Sequence, residues 1–566
     1  MNNRVAGLLL SVLLLLLIDL SCTFPLLVDN DPNPAYSPLF TVFHVTDVHG
    51  WVNGHPHQPE LNTDFGDFAS LVEHLRENAL RDERHMFLVD SGDLIEGTGL
   101  SDATELHGEF ILPIIKQIRS YDAMTMGNHD IGHVNGVDYF RTTFIPVLNE
   151  DPLNPRYLTD NQYSKNYPPD APLGRRFNVL ETEDRYRLLV LGFLYNFTQN
   201  APNTEVHAVS EELEQQWFRD AMAIENVDLI MVTCHIDPHS APELEQIYQA
   251  LRSAHPDTPL IFFAGHRHQL VFKRYDENAF AIESGKYFEN LGLVTFKLPA
   301  PPKGLRATGS GPYPTLMANQ TYQWINTTME NFYTLANRTE KNFLTERGRE
   351  TKKMIRSYTE LLRLDEVYGC SPRNFDLLLP EYDPLSMWYL WMQLVIPETV
   401  YNPTLPNLPY YYINDGGLRY NLFAGPVNKN DIYTANPFSD HYSHFPSVPG
   451  AQLQQFKDFV LNGGAEQVIT SLSVPRSDRA PVFILENGPG WYFSLDPINS
   501  TATYDLICAD YDCTTMQPFL QTLFPQSDWT VQVYPTNQTS TSALSEYVKT
   551  RMSCRSSCPC PATSPE

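Results

Sequence analysis

Short apolar runs recur through the first half of the chain, and each stops at a Gly turn or a cluster of polar residues. Residues 39–45, 86–89, 123–126, 229–233 and 260–264 have the length and character of strands buried on both faces. Stretches of helical spacing, such as 68–81 and 210–224, lie between them. Strands alternating with helices predict an α/β domain over residues 39–298. The Pro-rich segment 299–304 closes it, and a charged helical run over 342–364 predicts a connecting helix with a solvated face, so 299–366 reads as linker and connecting helix. From 367 to 548 the pattern mixes a helix over 385–395 with strands at 481–485 and 504–508, which predicts a smaller α+β domain. A Cys-rich tail, 549–566, ends the chain, and no internal repeat is visible.

The N-terminus changes the expected compartment. Arg4, an apolar run over 5–18 and a polar close at Asp19-Leu20-Ser21-Cys22 read as a secretory signal over 1–22, too short to span a bilayer comfortably. A polar leader, 23–38, follows. No other segment has the length to cross a membrane, and the C-terminus lacks the hydrophobic tail of a GPI signal. The expectation is a protein of the secretory pathway, extracellular or vacuolar/lysosomal, with no stable membrane anchor. Six N-x-S/T sequons, at Asn196, Asn319, Asn326, Asn337, Asn499 and Asn537, suit a glycosylated surface. Of the eight cysteines, Cys22 leaves with the signal and Cys234 reads as a buried free thiol. Cys370, Cys508, Cys513, Cys554, Cys558 and Cys560 form an even set able to pair in an oxidising compartment.

At 566 residues the chain exceeds one ordinary core, which agrees with two large domains. Its formal charge of −28 excludes a broad phosphate-tracking surface, and with it nucleic acid as a partner. A small anionic substrate would need local positive charge, from metal ions or a few placed arginines.

The strand ends supply candidates for that charge. In open α/β sheets the sites lie at the carboxyl edge of the strands. The first strand leads to Asp47-Val48-His49, and residues two apart in extended chain project to one side, so both can grip one ion. The second leads to Asp90-Ser91-Gly92-Asp93, a sharp turn presenting Asp93. The third leads to Gly127-Asn128-His129-Asp130, the fourth to His235, and the fifth to Gly265-His266-Arg267-His268. Imidazoles, carboxylates and one amide oxygen suit Zn²⁺, Mn²⁺, Fe or Co better than a Ca²⁺ cage or a thiolate zinc site. Any one of these histidines alone would more often be structural; the ordered set carries the inference. His44, His55, His57, His74, His85, His107, His133 and His239 fit no slot and read as packing or surface. Asp90 reads as a turn residue and Asp102 as a helix cap.

In this order D-x-H, G-D, G-N-H-D, a lone His and G-H-x-H resemble the calcineurin-like metallophosphoesterases. The resemblance implies a four-layer α/β sandwich, two β-sheets flanked by helices, around two divalent metals about 3.5 Å apart that clamp a phosphoryl group. Zn or Mn is favoured. It also implies that Asp47, His49 and His268 hold the first metal, that Asn128, His235 and His266 hold the second, and that Asp93 bridges both. His129 would lie outside the metals and stabilise the phosphoryl oxygens or protonate the leaving group. The family's Asp three residues beyond that histidine is Gly132 here, so either Asp130 orients it or nothing does. Two such metals lower the pKa of a bridging water from ~15.7 toward ~7, which makes hydroxide available to attack phosphorus in line.

Further loops resemble the 5′-nucleotidases within that superfamily. They are Phe65-Gly66-Asp67-Phe68-Ala69, Glu96-Gly97-Thr98-Gly99 and Glu283-Ser284-Gly285-Lys286-Tyr287. In the second half Asn414-Asp415-Gly416-Gly417-Leu418-Arg419 is similar to the family's N-x-G-G-x-R signature, and Thr434-Ala435-Asn436-Pro437-Phe438 to its following P-F segment. The likeness covers most of residues 39–545 and is greatest to a largely fungal branch. It implies that Asn414 and Arg419 contact substrate while Phe438 and Tyr511 stack on a base. An aromatic sandwich plus Arg is also what a flat base with an anionic phosphate requires. Two features depart from the family: Asp512-Cys513-Thr514-Thr515 stands where G-G-D-G is usual, and no R-x-x-E…G-N segment follows residue 366. The expected activity is release of phosphate from nucleoside 5′-monophosphates or related nucleotides. The alternatives are a phosphodiesterase or non-nucleotide phosphomonoesterase, or a secreted nucleotide-binding protein without turnover, for which a complete ligand set is hard to explain.

Overall fold

Two sheets stand face to face in the first half of the molecule, in a computed structural model that describes residues 36–165, 171–299, 320–461, 491–494 and 497–552. The secretory signal, the leader as far as residue 35, Asn319, the strand expected at 481–485 and Cys554, Cys558 and Cys560 lie outside the described residues, and the last three leader positions belong to the first strand, Tyr36–Val45. The first sheet has five strands in the order Thr321–Asn326, Asn290–Pro299, Tyr36–Val45, His85–Asp90 and Ala123–Met124. The second has six, in the order Leu270–Asp276, Ala279–Ser284, Leu260–Ala264, Leu229–His235, Arg187–Leu194 and Phe177–Glu181. The inner strands of each run parallel, so their carboxyl ends emerge along one edge.

Period-two alternation builds both faces. Phe40, Val42, Val89, Val190, Met231 and Phe263 fill the space between the sheets. Their neighbours Phe43, Val45, Leu88, Val232 and Phe262 face the outer helices, among them Phe65–Arg81 and Pro242–Ala254. Phe65–Arg81 starts at a capping box in which Asp64 accepts from the Asp67 backbone and Asp67 accepts from that of Asp64. This is the expected α/β sandwich of two sheets between helical layers.

Two local expectations change. The helix expected over 210–224 is broken into Val209–Glu212 and Gln216–Met222. At the break Glu212 accepts from Tyr163, His207, Arg176 and Trp217, a buried polar knot that outweighs helical continuity. Of the stretch expected as linker and connecting helix, most of the described residues 320–366 join the first layer set. Thr321–Asn326 adds an edge strand, and the helices Met329–Ala336 and Glu346–Leu361 lie on Phe65–Arg81, with Lys352 bridging Asp64 and Asp67 at 2.7 and 2.6 Å. Phe332, Leu335, Phe343 and Ile355 are among the buried apolar residues of this layer, too widely spaced among charges to read as core in the sequence.

A second sheet system follows Val367–Ser371, with strands in the order Trp491–Phe493, Leu408–Asn414, Thr503–Ala509, Tyr442–Pro449 and Gln532–Val533. Tyr411, Ile413 and Ile507 pack with the helical turn Leu390–Val395 and the helix Ser540–Arg551 on one face. Tyr410, Tyr412 and Leu506 pack with Gly450–Leu461 and Asp510–Leu523 on the other. Cys508 and Cys513 form a disulfide around the turn that carries Tyr511, Cys370 is also disulfide-bonded, and Cys234 is a buried free thiol. No helix among the described residues is long and apolar enough to cross a membrane.

Candidate metal centre and the face above it

The loops at the shared strand edge are bent where an ordinary residue resists bending. Asp47, His49, Asp93, His266 and His268 all have positive φ, between 47° and 86°. Non-glycine residues persist there only where the surroundings over-determine them, and such positions cluster at functional sites. Glycines let the loops close. A Cβ on Gly127 would sit 1.9 Å from Asp93 Oδ1, and one on Gly265 would sit 2.2 Å from Thr46 Oγ1.

The bends bring two donor groups together around one carboxylate. Ligand atoms of Asp47, His49, Asp93 and His268 lie within 4.8 Å of one another, as do those of Asp93, His235 and His266. Asp93 belongs to both, and its Oδ2 is 3.5 Å from His49 Nε2 and 3.1 Å from His235 Nε2. Asp47 Oδ1 is 3.2 Å from His268 Nε2 and 3.9 Å from both His49 Nε2 and His235 Nε2. Backbone carbonyls fix which ring nitrogen faces inward. His49 Nδ1 donates to Glu96 O at 2.9 Å and His235 Nδ1 to Ser91 O at 2.8 Å, leaving both Nε2 atoms toward the carboxylates. Asp90 accepts from Gly92 N at 2.9 Å and shapes the turn, as expected.

These residues fit divalent metal ions. The Oδ1 atom of Asn128 is buried and has no hydrogen-bond partner, an amide oxygen left for something other than the protein. Burial, with the Arg419 guanidinium, holds His49 and His268 well below the usual imidazole range; burial and His235 do the same to His266. All three rings are thus the neutral species that can ligate. Burial alone would raise Asp93, but His235 and His129 outweigh it and hold that carboxyl well below its ordinary value. Burial would lower His235, yet Asp93 and Asp47 push it up to about 10.

His129 stands at the rim with its backbone N–H on Asp93 Oδ1 at 2.9 Å and its ring 4.9 Å from that of His49. Asp130 does not orient it. That carboxylate accepts from Asp93 N at 3.0 Å, Leu94 N at 2.9 Å and Gly127 N at 2.9 Å, so it ties two loops together beneath the site. The ring Nδ1 instead meets Glu96 Oε2. Glu96 opens the loop Glu96-Gly97-Thr98-Gly99, but nothing in the spacing marks its side chain. His133, read as packing or surface, pairs with Glu96 Oε1 at 3.0 Å.

The second domain closes over this edge. Tyr420 lies 4.5 Å from the ring of Trp51, His57 Nε2 is 2.8 Å from Asp431 Oδ1, and Gly99 N donates to Asn430 Oδ1 at 2.9 Å. Arg419 is thereby brought onto the donor groups, with Nη2 3.1 Å from His49 Nε2 and its guanidinium 5.9 Å from the Phe438 ring centre. Tyr511 is 43% exposed. Burial, with the charges of Asp512 and Asp440, pushes its hydroxyl above the ordinary tyrosine range. Asn414 points elsewhere: its Nδ2 donates to Asp512 Oδ1 at 2.5 Å.

Residues 40–270 match the calcineurin-like phosphoesterase family, and residues 380–481 match the C-terminal domain of NAD nucleotidase. A Schizosaccharomyces pombe protein named as uncharacterised is 29% identical over 458 residues, covering 77% of this chain and 75% of that one. An Arthroderma benhamiae protein named as secreted is 27% identical over 458 residues, covering 75% and 67%. The crystal structure of 5′-nucleotidase from Candida albicans has the same fold, with a TM-score of 0.76 at 22% identity, covering 91% of this chain and 100% of that one.

Proposed function

Because the chain belongs to the calcineurin-like phosphoesterases, in the two-domain form of the 5′-nucleotidase family, we propose that it releases phosphate from nucleoside 5′-monophosphates or related nucleotides. It is a metal-dependent phosphoester hydrolase, and the substrate class is the step beyond that. Arg419 carries the step: a residue of the second domain's Gly-Gly turn lies 3.1 Å from an imidazole of the donor groups, so its guanidinium reaches the edge at which a phosphate would be bound. Asp47, His49 and His268 would hold one divalent ion, Asn128, His235 and His266 the second, and Asp93 both. Ions bound there would supply an acidified water and offset charge on the phosphoryl group.

The chain's own residues do the rest. Arg419 pairs with phosphoryl oxygens through a buried guanidinium that keeps its charge. Phe438 and Tyr511 hold the base. His129, with Nδ1 engaged, has Nε2 left to give a proton to the leaving 5′-oxygen as the P–O bond breaks. Asn414, held by Asp512, shapes the turn before Arg419 and contacts substrate only if that bond opens. A secretory signal, and glycans on the exposed Asn326, Asn337, Asn499 and Asn537, complete the reading of an extracellular or vacuolar/lysosomal enzyme.

Phosphate release is the test, measured on the purified glycosylated protein with AMP, UMP, ADP, NAD, a UDP-sugar and an aryl phosphate, with and without chelator. Preference for 5′-nucleotides, abolished by chelator, is expected. Fast turnover of aryl phosphate or diesters with none of nucleotides would keep the metal centre and overturn the substrate.

A further inference from the structure

A histidine that moves a proton needs its other nitrogen held, and here the holder comes from a different strand end. We propose that Glu96 positions His129 for proton transfer and that His133 holds Glu96 in place, so that the acid partner reaches the histidine from the second loop rather than from three residues along its own. This deepens the phosphohydrolase reading above and rests on it.

Four observations lead there. Gly132 offers no side chain, and all that Asp130 accepts comes from backbone N–H groups. The two oxygens of Glu96 are divided between His129 Nδ1 and His133 Nε2, the latter at 3.0 Å. Behind them the His133 ring stacks on that of His107 at 3.9 Å and 3°, and His107 Nδ1 is 3.2 Å from Asp102 Oδ1. Asp102 Oδ2 in turn accepts from Gly97 N at 2.7 Å and Thr98 N at 3.1 Å, which closes the loop on itself. Glu96 also has a positive φ of 70°, and its carbonyl accepts from His49 Nδ1. One bent residue thus orients a candidate ligand through its backbone and the candidate acid through its carboxylate.

The chemistry follows from the pairing. A carboxylate at Nδ1 makes that nitrogen the donor and fixes the ring's orientation, leaving Nε2–H for substrate. When the P–O bond breaks, its electron pair stays on the leaving oxygen, which takes the Nε2 proton. The ring becomes neutral with Nδ1–H still on Glu96, and Nε2 recovers its proton from water.

The test uses the full chain as wild type, Glu96→Gln, Glu96→Asp, His133→Gln, His129→Gln and the Glu96→Gln/His129→Gln double variant. Substrates are AMP and aryl phosphates from phenyl to 2,4-dinitrophenyl. Glu96→Gln should lower kcat on AMP by about 100-fold with KM within about twofold. Metal content should match wild type. The loss should shrink to a few-fold on dinitrophenyl phosphate, whose leaving oxygen needs no proton. Glu96→Asp should restore part of the rate, and His133→Gln should show the same pattern more weakly. In the His129→Gln background, Glu96→Gln should cost no more than about twofold. An equal loss across the aryl series, a fully additive double variant, lost metal, or wild-type rates in Glu96→Gln would each overturn the proposal. If wild type cleaves aryl phosphates and not AMP, the nucleotide reading fails while the aryl series still judges Glu96. A wild type inert on every ester overturns both.

Discussion

Asp93 and Asp512 are both fully buried carboxylates, one in each domain, and their neighbours push them in opposite directions. Around Asp93, His235 and His129 outweigh the cost of burial and keep the group ionised. Around Asp512, burial is joined by the charges of Asp440 and Asp415, and the carboxyl is pushed up to about 8. The first domain therefore surrounds its carboxylates with nitrogen donors and is built to hold cations. The second gathers carboxylates beside one another and is built to close over the cleft. The largest break in this contrast comes from the donor groups. Asp93→Asn or Asn128→Ala should lower kcat/KM by on the order of a thousand-fold or more, since a bound metal supplies several kcal/mol. Phosphate release with metal content measured on the same sample checks it. Retained activity in Asp93→Asn would remove the shared carboxylate from the mechanism.

Gly127→Ala reaches the same centre without touching a ligand. Its Cβ would meet Asp93 Oδ1 at 1.9 Å and Asp93 N at 2.4 Å, so the loop must move. The expected loss is about 100-fold in kcat/KM together with lost metal, because small displacements of positioned groups are costly. Wild-type metal content and rate would show that the loop has room to yield. Arg419→Ala crosses to the other domain and should behave differently. It removes a contact made to substrate throughout, so KM should rise by about 10- to 100-fold with kcat changed by less than about fivefold. A loss confined to kcat would mean that the guanidinium acts on the transition state and belongs with the donor groups.

This contrast also decided what could be read from the sequence. Asp47, His49, Asp93, Asn128, His235, His266 and His268 follow apolar strands, and strand register fixes where such residues emerge; the structure draws six of them into two groups sharing Asp93. Asn128, the seventh, has the orphaned amide oxygen. Nothing local fixes where a long side chain ends, so the sequence does not mark Glu96 and points instead to Asp130, the acid nearest His129 in the chain. The edge strand Thr321–Asn326 was hidden for another reason, since half of its residues are exposed and a sequon ends it. In the second domain, Arg419 is legible because a Gly-Gly turn at a strand end sets where the next long side chain emerges. Asn414 sits at the same turn, but its partner, Asp512, lies 98 residues away.

The smallest effect concerns that partner. Asp512 has an ordinary value of 3.8 and a folded value of about 8, so between those limits the folded chain keeps a proton that the unfolded chain releases. Stability must then fall as pH rises through this window and level off above it, the reverse of a carboxylate that is well paired in the folded state. Asp440, pushed up to about 7 by burial and by Asp510, adds to the same slope. Asp512→Asn removes one contribution and preserves an oxygen that can accept from Asn414. The variant should therefore match or fall below wild type in thermal stability near pH 4 and exceed it by a few degrees near pH 8, at about 2–4 °C per kcal/mol for a domain of this size. Melting curves for both proteins at pH 4, 6 and 8 measure the two slopes. Parallel slopes would mean that Asp512 is ionised in the folded protein. The two domains would then treat their buried carboxylates alike, and the contrast between a cation-holding cradle and an acid-gathering cover would fail.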